Sequence, residues 1–205
     1  MGRRSDHSRE ELKELLLDTA HKMVEKHGYE QVTARALAKK IGYAPGTIYN
    51  IFPSMDALYL ALNAKTLDKL SGVLKSAACN DSGTPSVQNM ITMATAYHDF
   101  AYQNKAHWLM LFTHSLPEGE LVPDWYQEKI DCLFEPLEEL LSAYYTSAQA
   151  RERRMAARIL WAGVHGLCFL EETGKIQRVD DKSDATNMAA YMIETFIKGL
   201  KPSKH

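Results

Sequence analysis

The sequence predicts an all-α protein, with a small N-terminal three-helix domain of helix-turn-helix type followed by a larger C-terminal helical domain. Three observations predict it. Apolar residues recur at three- and four-residue spacing from Leu12 to Val24, and the chain keeps a helical pattern through most of its length after Pro85. No alternating apolar and polar run lies between turn signals. Two short helical segments joined by a turn at Gly42 follow closely on a longer first helix.

Each element has its own signal. Ser8-Arg9-Glu10-Glu11 has the capping-box form, in which the two side chains satisfy backbone donors reciprocally. Leu12, Leu15, Leu16, Ala20, Met23 and Val24 then make an apolar stripe. Lys26 and His27 suit the negative end of the helix dipole, and Gly28 stops the helix. Thr33 caps a second helix that runs to Ile41 and ends at Gly42. Pro45 suits the first turn of a third helix, Thr47 to Phe52, which Pro53 stops. Ser54 caps a fourth helix from Met55 to about Ala77, and residues 79–84 read as a polar linker. Further helices are predicted at about 85–103, 105–114, 123–147, 150–173 and 183–200. Pro117, Gly119 and Pro123 break one junction and the stretch from Gly174 to Ser183 makes another. Pro136 is expected to kink or split the helix around it. The domains are then 1–53 and 54–205.

Composition bounds the function. A chain of 205 residues buries enough surface to fold without staples. Hydrophobic residues at 45% and charged ones at 24% are ordinary globular values. The net charge of -2 hides an uneven distribution. Residues 1–52 hold 9 Lys and Arg against 7 acids, while the remainder holds 15 against 19. From Gln31 to Met55 there is no acid at all, and Arg35, Lys39 and Lys40 are positive. Cys79, Cys132 and Cys168 are too scattered for a disulfide framework or a zinc site, which fits a reducing compartment. The N-terminal residues have no signal-peptide character, and no apolar run reaches the ~18 residues of a membrane span. The expectation is a cytoplasmic protein with no membrane partner.

The helix-turn-helix carries the information. Leu37, Ala38, Ile41, Ile48, Ile51 and Phe52 suit the inner faces that set the angle between the short helices. Ala44, Pro45, Gly46, Thr47, Tyr49 and Asn50 remain for the outside. A helix presenting Thr, Tyr and Asn can reach phosphates and base edges in the major groove. An acid-free surface around it is what phosphate neutralisation requires.

The stretch from Gly28 to Phe52 resembles the N-terminal signature of the TetR family of bacterial transcriptional regulators. Its elements are Gly28-Tyr29 before the second helix, the Thr33 cap, Leu37-Ala38, Gly42, and Gly46-Thr47-Ile48-Tyr49 followed by Phe52; the likeness continues through Ala57-Leu58. The resemblance implies a homodimer that binds a double-stranded palindromic operator and releases it when a small effector enters the C-terminal domain. It also implies that Thr33 and Arg35, with Ala44, Pro45, Gly46, Thr47, Tyr49 and Asn50, face DNA. Arg35 is the candidate base contact, because a guanidinium fork can address guanine O6 and N7 together. Tyr49 is the candidate phosphate donor. Met55 stands where the family usually has a phosphate-binding Lys, so one electrostatic contact is expected to be missing.

The C-terminal half is read on its own chemistry. Trp161-Ala162-Gly163-Val164-His165-Gly166 resembles a Trp-x-x-x-His-Gly motif of one C-terminal subgroup of the family. Met155, Ile159, Ala162, Gly166 and Leu170 form one stripe, and Met188, Tyr191, Met192, Thr195, Phe196 and Gly199 another. These helices, at about 150–173 and 183–200, are the expected dimer interface. Aromatic and Met residues crowd positions 97–112, as an apolar pocket requires. His98, Tyr102, Trp108, Phe112, Trp161 and His165 are the candidate contacts to a small apolar or aromatic effector.

Other chemistries find no support. His107 and His114 are seven apart, beyond the spacing of a helical zinc pair, and no carboxylate completes a set. No nucleophile elbow, phosphate loop or His-Glu-x-x-His motif is present. No metal, cofactor or catalytic residue is expected. The chain reads as a ligand-responsive repressor; the rival reading is a helical small-molecule-binding protein whose helix-turn-helix no longer reads DNA.

Overall fold

The computed structural model describes residues 7–79, 86–176 and 184–200. Most of the expected linker and most of the stretch from Gly174 to Ser183 lie outside the described residues. The helices are α1 (Arg9–His27), α2 (Ala34–Ile41), α3 (Pro45–Ile51), α4 (Met55–Ala78), α5 (Val87–Gln103), α6 (Lys105–Thr113), α7 (Asp124–Leu141), α8 (Ala150–Glu172) and α9 (Ala185–Gly199). No strand occurs among the described residues.

The caps follow the local chemistry. Ser8 and Glu11 form the reciprocal capping box of α1. Thr33 Oγ1 accepts from the Ala36 N–H at 3.2 Å and opens α2. Ser54 Oγ accepts from Ala57 N–H at 3.1 Å and opens α4. Gly42 ends α2 in the left-handed region at φ 76°, where a Cβ would be strained.

Two observations bear on α7. Of the kink or split expected at Pro136, the split does not occur, and the helix runs unbroken through the proline. Proline removes one backbone donor, and burial of Phe134, Pro136 and Leu137 offsets that loss. The helix also stops at Leu141 rather than continuing to residue 147. Two single 3-10 turns follow, Ser142–Tyr144 and Ser147–Gln149, the second opened by a capping box between Thr146 and Gln149.

Two compact units make up the chain: Met1–Thr66 with Asn104–Tyr126, and Leu67–Gln103 with Gln127–His205. The dividing line of the packing runs inside α4, after Thr66. In the first unit α2 and α3 pack on each other and both pack on α1. Leu16, Val24, Leu37, Ile48 and Leu58 are fully or almost fully buried there. Each such side chain contributes about 1.5–3 kcal/mol on burial. Helix α6 docks on α1, with Trp108 fully buried and the His107 ring stacked on His21 at 3.8 Å. In the second unit α5 lies against α8 and α9, and α8 lies against α9. The α8–α9 approach is close, since a Cβ at Gly163 would collide with the Met192 thioether.

Replacing Ser54 with Ala leaves one donor of α4's first turn uncapped. We expect Ser54→Ala to lower unfolding stability by about 1 kcal/mol in urea titrations, with unchanged m-value.

Candidate functional site

The reading surface is built by three short pieces of chain. Thr33, Arg35, Pro45, Gly46, Tyr49 and Asn50 are exposed, while Ala44 and Thr47 are half-buried. Ile48, on the opposite side of α3, is buried and fixes which face points outward. Pro45 occupies the first turn of α3, where its missing N–H costs nothing. Arg35 has no ion-pair partner among the described residues, so its guanidinium is available to an anion. Residues that sequence reasoning passed over join this surface from α1's start. His7 Nδ1 lies 2.8 Å from Tyr43 Oη, and Arg9 Nη2 lies 3.5 Å from the Asn50 carbonyl. Nothing in the periodicity of α1 marks them; only the fold brings them to the turn and to α3.

Met55, where a Lys was the family expectation, packs against the first unit's core. An apolar side chain there adds to the scaffold and offers no charge to a phosphate. Beneath the reading surface, Tyr59 Oη donates to the Val32 carbonyl at 2.7 Å, just before the Thr33 cap. The Tyr59 ring meets Tyr29 edge-on at 5.8 Å and His114 at 5.1 Å. His114 Nε2 lies 2.9 Å from Asp56 Oδ1, joining the end of α6 to the first turn of α4. Burial, with the nearby Asp56 charge, raises the Tyr59 hydroxyl above its ordinary pKa, so it stays a donor.

The second unit contains a cavity of about 40 Å³. Its walls are Leu74 of α4, Met90, Met93, Ala94 and Tyr97 of α5, and Leu133, Phe134 and Leu137 of α7. Leu160, Trp161 and Val164 of α8 and Ile193 of α9 complete its lining. Phe134 and Trp161 meet edge-to-face at 5.6 Å, and His165 stacks on Trp161 at 5.2 Å. Tyr97 Oη lies 2.9 Å from His165 Nδ1. Burial lowers the His165 pKa and so favours the neutral imidazole in its contact with the Tyr97 hydroxyl.

With that geometry in place, the comparisons decide the family. Residues 16–62 match the family of bacterial regulatory proteins described as tetR, and residues 90–196 match the tetracyclin repressor-like C-terminal domain. The chain belongs to the TetR family. It is 27% identical to the uncharacterized HTH-type transcriptional regulator YobS of Bacillus subtilis, over 91% of each chain. A Rhodococcus sp. RHA1 protein of unknown function shares the fold with a TM-score of 0.71 at 20% identity, covering 97% of this chain and 99% of that one. The TetR family regulator PfmR of Thermus thermophilus matches with a TM-score of 0.55 at 18% identity, covering 91% and 98%. The protein is a helix-turn-helix transcriptional regulator.

Seen as a TetR regulator, the chain divides the six candidate effector contacts among different places. Trp161 lines the cavity and His165 backs it. Trp108 and Phe112 meet each other at 5.4 Å in the first unit. Tyr102 is 72% exposed. His98 lies beside carboxylates, with Nε2 2.6 Å from Glu171 Oε2 and Nδ1 3.5 Å from Asp99 Oδ1. Met90, Met93, Leu133 and Phe134 were not singled out by the sequence reading; the spacing of 90, 93, 94 and 97 along α5 was the available signal. Among the described residues no three His, Cys, Asp or Glu gather as a metal set, and no helix is long and apolar enough to cross a membrane.

The two histidines of this unit titrate in opposite senses. Burial disfavours charged His98, but hydrogen bonds and the charges of Glu171 and Asp99 outweigh it and raise the pKa above 6.5. A raised folded value means stability that is full below 6.5 and lost as pH rises through the folded pKa. His165, with a lowered value, contributes stability that is present above 6.5 and lost as pH falls. His98→Gln is therefore expected to remove the part of the stability that declines as pH rises above 6.5, as read by thermal unfolding over a pH series. An unchanged pH profile would mean the His98–Glu171 pair contributes nothing.

Proposed function

We propose that the protein is a homodimeric repressor that holds a palindromic operator and lets it go when a small apolar or aromatic effector enters the second unit. The observation that carries this reading is the exposed, acid-free face of α2 and α3, with Arg35, Lys39, Lys40, Tyr49 and Asn50 turned outward over a buried Ile48. Arg35 reads a guanine, Tyr49 and the basic residues hold phosphates, and Thr33, Ala44, Pro45, Gly46, Thr47 and Asn50 complete the contact surface. The functional division places the reading domain at 1–53 and the effector and dimerisation domain at 54–205. The setting is cytoplasmic.

Arg35→Ala is expected to weaken binding to the protein's own upstream operator by about 1–3 kcal/mol and to relax specificity at one base position. Fluorescence anisotropy at two salt concentrations checks it; a steep salt slope that survives the substitution shows that phosphate contacts persist.

Dimerisation through α8 and α9 is supported by what those helices leave uncovered. Met155, Ile159 and Leu170 are exposed, Ile159 at 56%, and Ala162 lies on the same stripe. Among the described residues nothing beyond its own helix lies within 4 Å of the place a Gly166 Cβ would take, and Tyr191 of α9 is 75% exposed. A patch of this kind on a monomer is a liability that a two-fold partner removes. Ile159→Glu is expected to raise the dimer dissociation constant at least about 100-fold, roughly 2.7 kcal/mol. Sedimentation equilibrium reads the shift, and a dimer of undiminished strength would place the interface elsewhere.

A further inference from the structure

We propose that the cavity in the second unit selects an uncharged monocyclic aromatic molecule as its ligand, a deepening that rests on the effector reading above. Among the described residues no Lys, Arg, His, Asp or Glu lines the cavity. A charged ligand would leave water without gaining a partner, a cost far above what apolar contact returns. Only Tyr97 and Trp161 bring polar side-chain atoms to the wall, and the Tyr97 hydroxyl is engaged with neutral His165. Arg158 lies over the Phe134 ring at 4.4 Å, yet its charge is answered by Glu138 at 2.8 Å and Asp131 at 3.8 Å. The site therefore has no cation to offer a carboxylate and no anion to offer an amine.

The wall also favours a ring over an aliphatic of equal size. Phe134, Trp161 and Tyr97 supply aromatic faces and edges, which gain from an aromatic partner beyond area burial. The thioethers of Met90 and Met93 add favourable sulfur–ring contacts. The cavity of about 40 Å³ is smaller than the roughly 150 Å³ known to accept benzene, so entry has to move a wall. Met90 and Met93, with three rotatable bonds each, are the side chains that can yield. Both belong to α5, which packs on α8 and α9. A ligand that moves this wall binds two states of the unit unequally, which is the condition for shifting their balance.

The test uses full-length protein carrying ¹³C-methyl methionine, with Met90 and Met93 assigned through Met90→Leu and Met93→Leu. It is titrated without DNA against toluene, benzoate, benzylammonium and methylcyclohexane. The expected result is that toluene shifts the Met90 and Met93 methyl signals and binds at least about tenfold more tightly than either charged analogue. Methylcyclohexane is expected to bind at least about threefold more weakly than toluene. Ala94→Leu fills the cavity and should weaken toluene at least about tenfold; if that variant does not fold, the methyl shifts decide alone. A charged analogue matching toluene, methylcyclohexane matching it, or toluene leaving both methyls unmoved overturns the proposal. A separate operator titration keeps the two readings apart. Toluene that moves both methyls without changing operator affinity supports the ligand class and counts against effector-driven release.

Discussion

A seven-residue helix cannot stand by itself in water, and α3 has only seven residues. Nucleating a helix fixes several residues for the first hydrogen bond, and α3 is too short to recover that cost by propagation. Its existence depends on burying Ile48 with Leu37 and Phe52 against the α1 core of Leu12, Leu16 and Ala20. The same burial sets the direction of every outward side chain, since Tyr49 and Asn50 are neighbours of Ile48 on a rigid turn. Tyr59 secures the other short helix by donating to Val32 C=O, one residue before the α2 cap. DNA reading is thus a property of the first unit's apolar core before it is a property of any surface residue.

Charge follows the same geometry. A chain with net charge -2 can meet a polyanion because screening makes distant acids nearly irrelevant beyond ~8–10 Å at physiological salt. What matters is the local field, and residues 31–55 contain no acid. Two acids of α1, Glu14 and Asp18, lie 2.9 and 3.6 Å from Lys65 Nζ, on a side of α1 that faces α4. Met55 belongs in the same account. It gives apolar packing in place of a cation, so in the proposed reading phosphate contact falls to the exposed Lys39, Lys40 and Tyr49.

The legible parts of the molecule are those written in local chemistry. Ser8 with Glu11, Thr33, Gly42, Pro45 and Ser54 each act within four residues of themselves, and the helices they bound are where the spacing puts them. The outward face of α3 was legible for the same reason. The cavity lining was not, because periodicity tells which face of a helix is buried but not against what. Trp108 and Trp161 look alike in sequence, yet α6 docks on α1 while α8 walls the cavity. His7 and Arg9 come to Tyr43 and Asn50 only through tertiary approach across more than thirty residues. At Pro136 the local rule left a kink or a split open, and the helix continues through it with Phe134, Pro136 and Leu137 buried.

Helix α8 is shared by the two tasks proposed for the second unit. Leu160, Trp161 and Val164 form the cavity wall, while Ile159 and Ala162, at alternating positions, face outward with Met155 and Leu170. Helix α9 repeats the arrangement with Ile193 on the cavity and Tyr191 outside. A close-packed interior does not absorb a displaced side chain silently; the strain passes to whatever shares the helix. His98, paired to Glu171, is not part of the cavity lining, and among the described residues no Lys, Arg, His, Asp or Glu lines the wall. An effector of the proposed kind would therefore signal by displacement rather than charge. A rigid helix turned on one side by a ligand must alter the stripe it presents on the other.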